Sequence, residues 1–373
     1  MSESSAPPER WLKWVGPLFF LTLAWIPLFN QSRFGDLSNW YTDHLHHSYA
    51  TWVSFSRGVE IYTRPFGEIR DGTSWPYPID VWKDMPGFAY PPGVVGVFLP
   101  LTLLGRYGGL SFHAFAVVSV LVMLAWAAWA FHQAARAMAL LPPGSRAALL
   151  GFTWLLFAQC ALQGFYDTAF LGAAFAGLAA GLRDKPDRAL LWLSLAAFLH
   201  FRAAVFAPLG VWVLWRFWTE RARIPAWRAK LALAVGMIAL ALVTFALMYP
   251  TTRAFQARAV TLLSVPRALG VVLVVSGVFA LLLAWRREWL ALASLGLVVA
   301  VAAVEPQQYW WHALIVLAVP YAIGALTPAR RDWGTSMLRG VSLIWILALN
   351  PLVWRDNLGL VFGDFVKVVR FGL

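Results

Sequence analysis

Residues 189–215 read ALLWLSLAAFLHFRAAVFAPLGVWVLW, twenty-seven positions whose only ionisable side chains are His200 and Arg202. A helix crosses a bilayer with ~20 predominantly apolar residues, so the stretch is expected in a membrane. It is either one long tilted span or a pair of short helices meeting near His200, and the choice fixes the side on which Arg183–Arg188 emerges. A charge near bilayer depth is costly and faces a cavity or a partner. Arg202 is therefore a candidate phosphate ligand, because its planar fork matches phosphate oxygens in pairs. An arginine snorkelling from a helix end is the structural alternative.

The rest of the chain has the same character. Its 373 residues are 60% hydrophobic and 13% charged, with a mean hydropathy of +0.64, which excludes a set of soluble domains and excludes disorder. An aromatic share of 16% fits interfacial belts and aromatic-lined cavities. Apolar runs recur at 15–30, 88–105, 109–131, 147–162, 165–182, 189–215, 229–249, 267–284, 288–304, 308–326 and 338–352. The expected fold is all-α, a polytopic transmembrane helix bundle of about eleven spans (range 9–13) forming one integral membrane domain over residues 1–373. Pro92, Pro100, Pro208 and Pro320 interrupt several runs. Broken helices are tolerated where protein or a water-filled cavity covers the freed backbone.

Charge sets the orientation. The net charge is +12, but the basic residues concentrate in short connections such as Arg216–Lys230, and in Arg330, Arg331 and Arg339, as cytoplasmic loops do. That distribution argues against nucleic acid as a partner. The polar stretch Ser2–Glu9, then Arg10 and Lys13, precedes the first run, and no small-residue cleavage site follows it. A retained first span with a cytoplasmic N-terminus is expected, in a multi-pass protein of the cytoplasmic (inner) membrane. The single cysteine, Cys160, excludes an intrachain disulfide and a thiolate zinc site.

The acids lie elsewhere. Residues 31–87 carry seven of the 18 acidic residues and three of the seven histidines, and a connection of that length is usually functional. It is expected to be an extracytoplasmic loop with one or two helices along the membrane surface, bearing the catalytic carboxylate. Asp36, followed by Leu37 and Tyr41, lies just beyond the first span, where a carboxylate can take a proton from an acceptor hydroxyl. A helix N-cap is the plain alternative for Asp36. Asp43 and His47 stand four apart, and His44 three from His47, so they share a helix face. Solvated interfacial histidines are the reading preferred there over a metal site, and no metal or other cofactor is expected.

Three further places stand out. Phe88-Ala89-Tyr90-Pro91-Pro92 leads into an apolar run, with prolines where a helix start needs no donors. Glu305-Pro306-Gln307-Gln308-Tyr309-Trp310-Trp311-His312 falls on the same outer side as the large loop, with His312 opening a span. Asp167 is the only acid between Met85 and Arg183 and ranks below the others. Walker, dinucleotide and nucleophile-elbow motifs are missing from the sequence.

In this order the marks resemble the GT-C class of polytopic glycosyltransferases, in particular the polyprenyl-phosphate-mannose-dependent α-mannosyltransferases. Asp36, Leu37 and Tyr41 resemble that family's Asp-Leu and Tyr after the first span, and Gly58 and Tyr62 the close of its first loop helix. Phe88–Pro92 is similar to its Phe-Thr-Tyr-Pro-Pro, with Ala89 for Thr. Leu199–Pro208 resembles a Leu-x-Lys-x-x-Pro segment, with His200 and Arg202 where Lys is expected. Glu305–His312 resembles Ser-Pro-x-x-Trp-x-x-His, with Glu305 for Ser and Tyr309 for Trp.

The resemblance implies inverting transfer of a hexose such as mannose at the extracytoplasmic face. The sugar would pass from a polyprenyl-phosphate donor to a hydroxyl of a glycolipid, glycan or protein of the cell envelope. Asp36 or its rival Asp43 would be the base, and His200, Arg202 and His312 would hold the donor phosphate. Tyr41, His47, Tyr90, Glu305 and Tyr309 would line the substrate cavity. A transporter or flippase of lipid-linked sugars, or a non-catalytic membrane scaffold, are the other classes.

Overall fold

The computed structural model describes residues 11–29, 92–109, 112–139, 143–162, 166–200, 206–262 and 269–286, with isolated positions between and beyond them. The described residues form helices joined by turns and short extended positions, without a strand among them. The helices are α1 Leu12–Phe29, α2 Pro92–Tyr107, α3 Phe112–Met138, α4 Pro143–Leu162, α5 Asp167–Gly181, α6 Pro186–Leu199, α7 Ala207–Glu220, α8 Trp227–Leu262 and α9 Leu269–Trp285. Proline opens several of them. Pro92, Pro143 and Pro186 are first residues and Pro208 the second of its helix, positions where the missing N–H leaves no bond unmade. Of the prolines expected to interrupt runs, only Pro100 among those described stands inside a helix.

The core is assembled around α5, whose sequence DTAFLGAAFAGLAAG is buried except at Ala180. Small residues let neighbouring backbones approach closely. At Gly177 an added Cβ would sit 2.8 Å from Leu193 Cγ and 3.3 Å from the Ala189 carbonyl oxygen, so α6 packs where only glycine fits. Aromatic rings tie the other helices in. Phe19 meets Phe131 at 5.1 Å between centroids, Phe131 meets Phe157 edge-on at 6.4 Å, and Phe157 meets Phe175 edge-on at 6.1 Å. This relay joins α1, α3, α4 and α5 with the offset geometries that ring quadrupoles favour.

The turn between α5 and α6 is closed by backbone geometry. Asp184 sits in the left-handed region at φ 53, Lys185 N–H donates to the Ala180 carbonyl, and Asp184 N–H donates to the Gly181 carbonyl. This is the bonding pattern of a Schellman motif. It returns α6 antiparallel along α5.

Residues 189–215 form two helices. α6 stops at Leu199, His200 is extended at φ −156 and ψ 134, and α7 begins at Ala207. A continuous helix over the stretch would be ~40 Å long and would hold its two ends apart. Instead the ends come together, with Arg216 paired to Asp184 at 3.1 Å and Lys230 to Asp187 at 2.6 Å.

Other contacts collect at the same end of the bundle. His132 Nδ1–H donates to the Leu12 carbonyl at 3.0 Å, Arg183 donates to the Arg136 carbonyl at 2.9 Å, and Arg146 lies 5.6 Å from the Trp11 ring centroid. The start of α1, the end of α3, the start of α4, the α5–α6 turn and the α7–α8 connection thus share one end. That end is strongly basic.

Among the described residues two helices are long and apolar enough to cross a membrane, Val117–Met138 within α3 and Trp227–Leu247 within α8. Shorter apolar helices are Leu12–Ala24, Asp167–Gly181 and Val274–Trp285. The two long segments differ in surroundings: 59% of the first is buried and 11% of the second, so α8 presents apolar side chains on nearly every side, among them Leu233, Val235, Leu240 and Leu247. The expected spans at 288–304, 308–326 and 338–352 lie outside the described residues, apart from the isolated positions Leu295, Leu338 and Val341.

Candidate functional site

Opposite the basic end, the α5–α6 hairpin opens. Its register runs from Gly181 beside Ala189, through Gly177 beside Leu193, to Phe170 beside His200. The last pair is a ring contact, with centroids 5.1 Å apart and planes tilted by 43°. Asp167, the first residue of α5, is one turn beyond Phe170 on the same helix face. It therefore lies at the end where His200 closes α6.

Both side chains are out of solvent, Asp167 at 1% and His200 at 2% exposure. Next to Asp167, Thr168 is fully buried, and its Oγ1 finds no hydrogen-bond partner among the described residues. The backbone at His200 is held from both sides: its N–H donates to the Ala196 carbonyl at 3.0 Å, and its carbonyl accepts from Ala203 N–H at 3.0 Å. A buried carboxyl, imidazole and hydroxyl at helix ends, in an otherwise apolar interior, form the polar spot that an embedded ligand site needs.

The same corner receives the start of α2. At Gly93 a Cβ would stand 2.7 Å from the Phe198 carbonyl oxygen and 2.9 Å from its ring Cε1, so only glycine lets α2 seat against the end of α6. Val94 is fully buried there. Pro92, the last residue of the Phe88–Pro92 signature, is the first residue of this helix. The helix that Pro92 opens thus starts against Phe198, two positions before His200.

Chemically the two ends differ. At the basic end, burial pushes the Asp187 carboxyl up most strongly of any single cause, but the hydrogen bonds from Lys230 and the Arg188 backbone, with the charges of both side chains, together outweigh it and hold the group below its ordinary 3.8. Asp187 precedes the apolar part of α6, so this tie belongs to the polar connections. At the opposite end, His200 can donate to an anion and Asp167 can accept a proton or a hydroxyl hydrogen bond.

Of the residues singled out by sequence, His200 and Asp167 are described and brought to one end. Asp36, Tyr41, Asp43, His47, Tyr90, Arg202, Glu305, Tyr309 and His312 lie outside the described residues. So does the 31–87 loop, apart from isolated positions such as Gly58, which has a φ of +64. Gly93 and Thr168 were not legible as site residues. A glycine directly after Pro91-Pro92 was the available signal for the first, and a hydroxyl beside the lone acid Asp167 for the second. Among the described residues no three His, Cys, Asp or Glu side chains gather as a metal site would require. Compared with models of known families, with curated proteins and with solved structures, the chain matches none.

Proposed function

We propose that the protein is a multi-pass glycosyltransferase of the cytoplasmic membrane that moves a hexose, such as mannose, from a polyprenyl-phosphate donor to a hydroxyl acceptor at the extracytoplasmic face. The observation that carries the reading is the polarity of the bundle. Basic connections collect at one end, and the buried Asp167 and His200, with the start of the Tyr-Pro-Pro helix, lie at the other. By the positive-inside rule the basic end is cytoplasmic, and the His200 corner then lies towards the side assigned to the 31–87 loop.

In this mechanism one carboxylate of the loop, Asp36 or Asp43, takes the acceptor hydroxyl proton while the oxygen attacks the anomeric carbon and the lipid phosphate leaves. His200, Arg202 and His312 stabilise the charge developing on that phosphate, usually a large term in such transfers. Separate Asp36→Asn and Asp43→Asn variants, assayed for transfer from a lipid-linked sugar, test it. Loss of ~100-fold or more in one variant is expected of a general base; full activity in both sinks the mechanism.

A further inference from the structure

We infer that the groove between α1 and α3 binds an anionic phospholipid of the bilayer, with an acyl chain along the groove and the phosphate against Lys13. The inference rests on the membrane placement above and is independent of the sugar chemistry. The groove has a volume of about 420 Å³ and is lined by Gly16, Pro17, Phe20, Ala125, Ala128, Trp129 and His132. That volume is in the range of small-molecule sites, ~300–1,000 Å³. Gly16 forms its floor, since even a methyl group there would meet the Ala128 carbonyl oxygen at 3.2 Å, and the Phe20 and Trp129 rings supply its walls.

All lining residues are apolar except His132, whose ring is fixed by its bond to the Leu12 carbonyl. Polarity begins only towards the basic end. Lys13 precedes Gly16, Pro17 and Phe20 by three, four and seven positions, so it tops the same helix face. Its ammonium rests 5.4 Å from the centroid of exposed Trp14, a Lys–Trp pairing suited to headgroup level. Arg136 lies one turn beyond His132 on α3.

The charge there is complementary to a lipid phosphate. The acids described at this end, Asp184, Asp187 and Glu220, are engaged by Arg216 and Lys230, so Lys13, one turn before Gly16, has no carboxylate partner among them. An apolar groove between two helices with a cation one turn above it fits a bilayer lipid whose headgroup carries net negative charge.

The test is native mass spectrometry of the full chain, released from micelles containing equal phosphatidylglycerol and phosphatidylcholine of identical acyl chains. Preferential retention of phosphatidylglycerol is expected. Lys13→Gln should weaken that retention about five-fold and leave phosphatidylcholine unchanged, whereas Ala125→Phe, at an exposed lining position, should displace both lipids. Equal retention of the two lipids by the unaltered protein, or unchanged retention in both variants, overturns the inference. Sugar transfer measured on the same samples separates the claims: selective lipid retention without transfer removes only the proposed activity, and transfer without selectivity removes only this site.

Discussion

His200 is an imidazole buried at a helix end, between a backbone bonded to Ala196 on one side and Ala203 on the other. Its neighbourhood depends on a residue with no side chain. Gly93→Ala forces a methyl group against the Phe198 carbonyl, so a loss of ~1–3 kcal/mol is expected, read as a lower unfolding temperature, together with reduced sugar transfer as the corner shifts. Unchanged stability would mean that α2 does not seat there. Ala226 is held at φ 51, a conformation costly for any residue with a Cβ, and Ala226→Gly should raise stability by ~0.5–1 kcal/mol in the same assay. His200 was legible because a polar residue inside a long apolar run is conspicuous. Gly93 was not, because a glycine's close approach depends on a carbonyl more than a hundred positions away.

At the scale of elements, the decisive feature is the break between α6 and α7. Composition cannot distinguish one tilted span from two short helices, since both need the same apolar residues, and the break is set by tertiary contacts. Asp184 in the α5–α6 turn and Asp187 in the first turn of α6 meet Arg216 near the end of α7 and Lys230 in the first turn of α8. A short bis-maleimide is expected to join Asp187→Cys to Lys230→Cys, placed in a Cys160→Ala background. No cross-link would form if residues 189–215 were one helix. The pairing also has a pH signature. Because the Asp187 carboxyl is held below 3.8, its stabilisation is complete at neutral pH and is lost as pH falls below that value. Asp187→Asn should therefore flatten the acid limb of the stability profile, lowering stability above pH 5 by no more than the ~1 kcal/mol that such partly exposed pairs contribute and changing little at the acid extreme.

For the whole molecule, apolar composition and the position of charge foretold a helical bundle with a basic end, while the number of spans was not readable to better than a few. Two described helices meet the length and hydropathy of a span, and the shorter ones lean on neighbours such as α5, whose helix is too small and too buried to stand alone in lipid. On the proposed reading, the basic end is the cytoplasmic one. With Cys160 replaced, Ala222→Cys and Lys185→Cys should react with an impermeant maleimide only after cells are permeabilised, and Ser38→Cys should react in intact cells. The opposite labelling pattern would invert the orientation. The most direct test of function is reconstitution of the purified chain in vesicles with a polyprenyl-phosphate hexose and a hydroxyl acceptor, followed by mass spectrometry of the products. The expected result is a new glycosidic bond on the acceptor with release of the lipid phosphate; movement of intact donor across the vesicle without any new bond would identify a transporter and contradict the proposal.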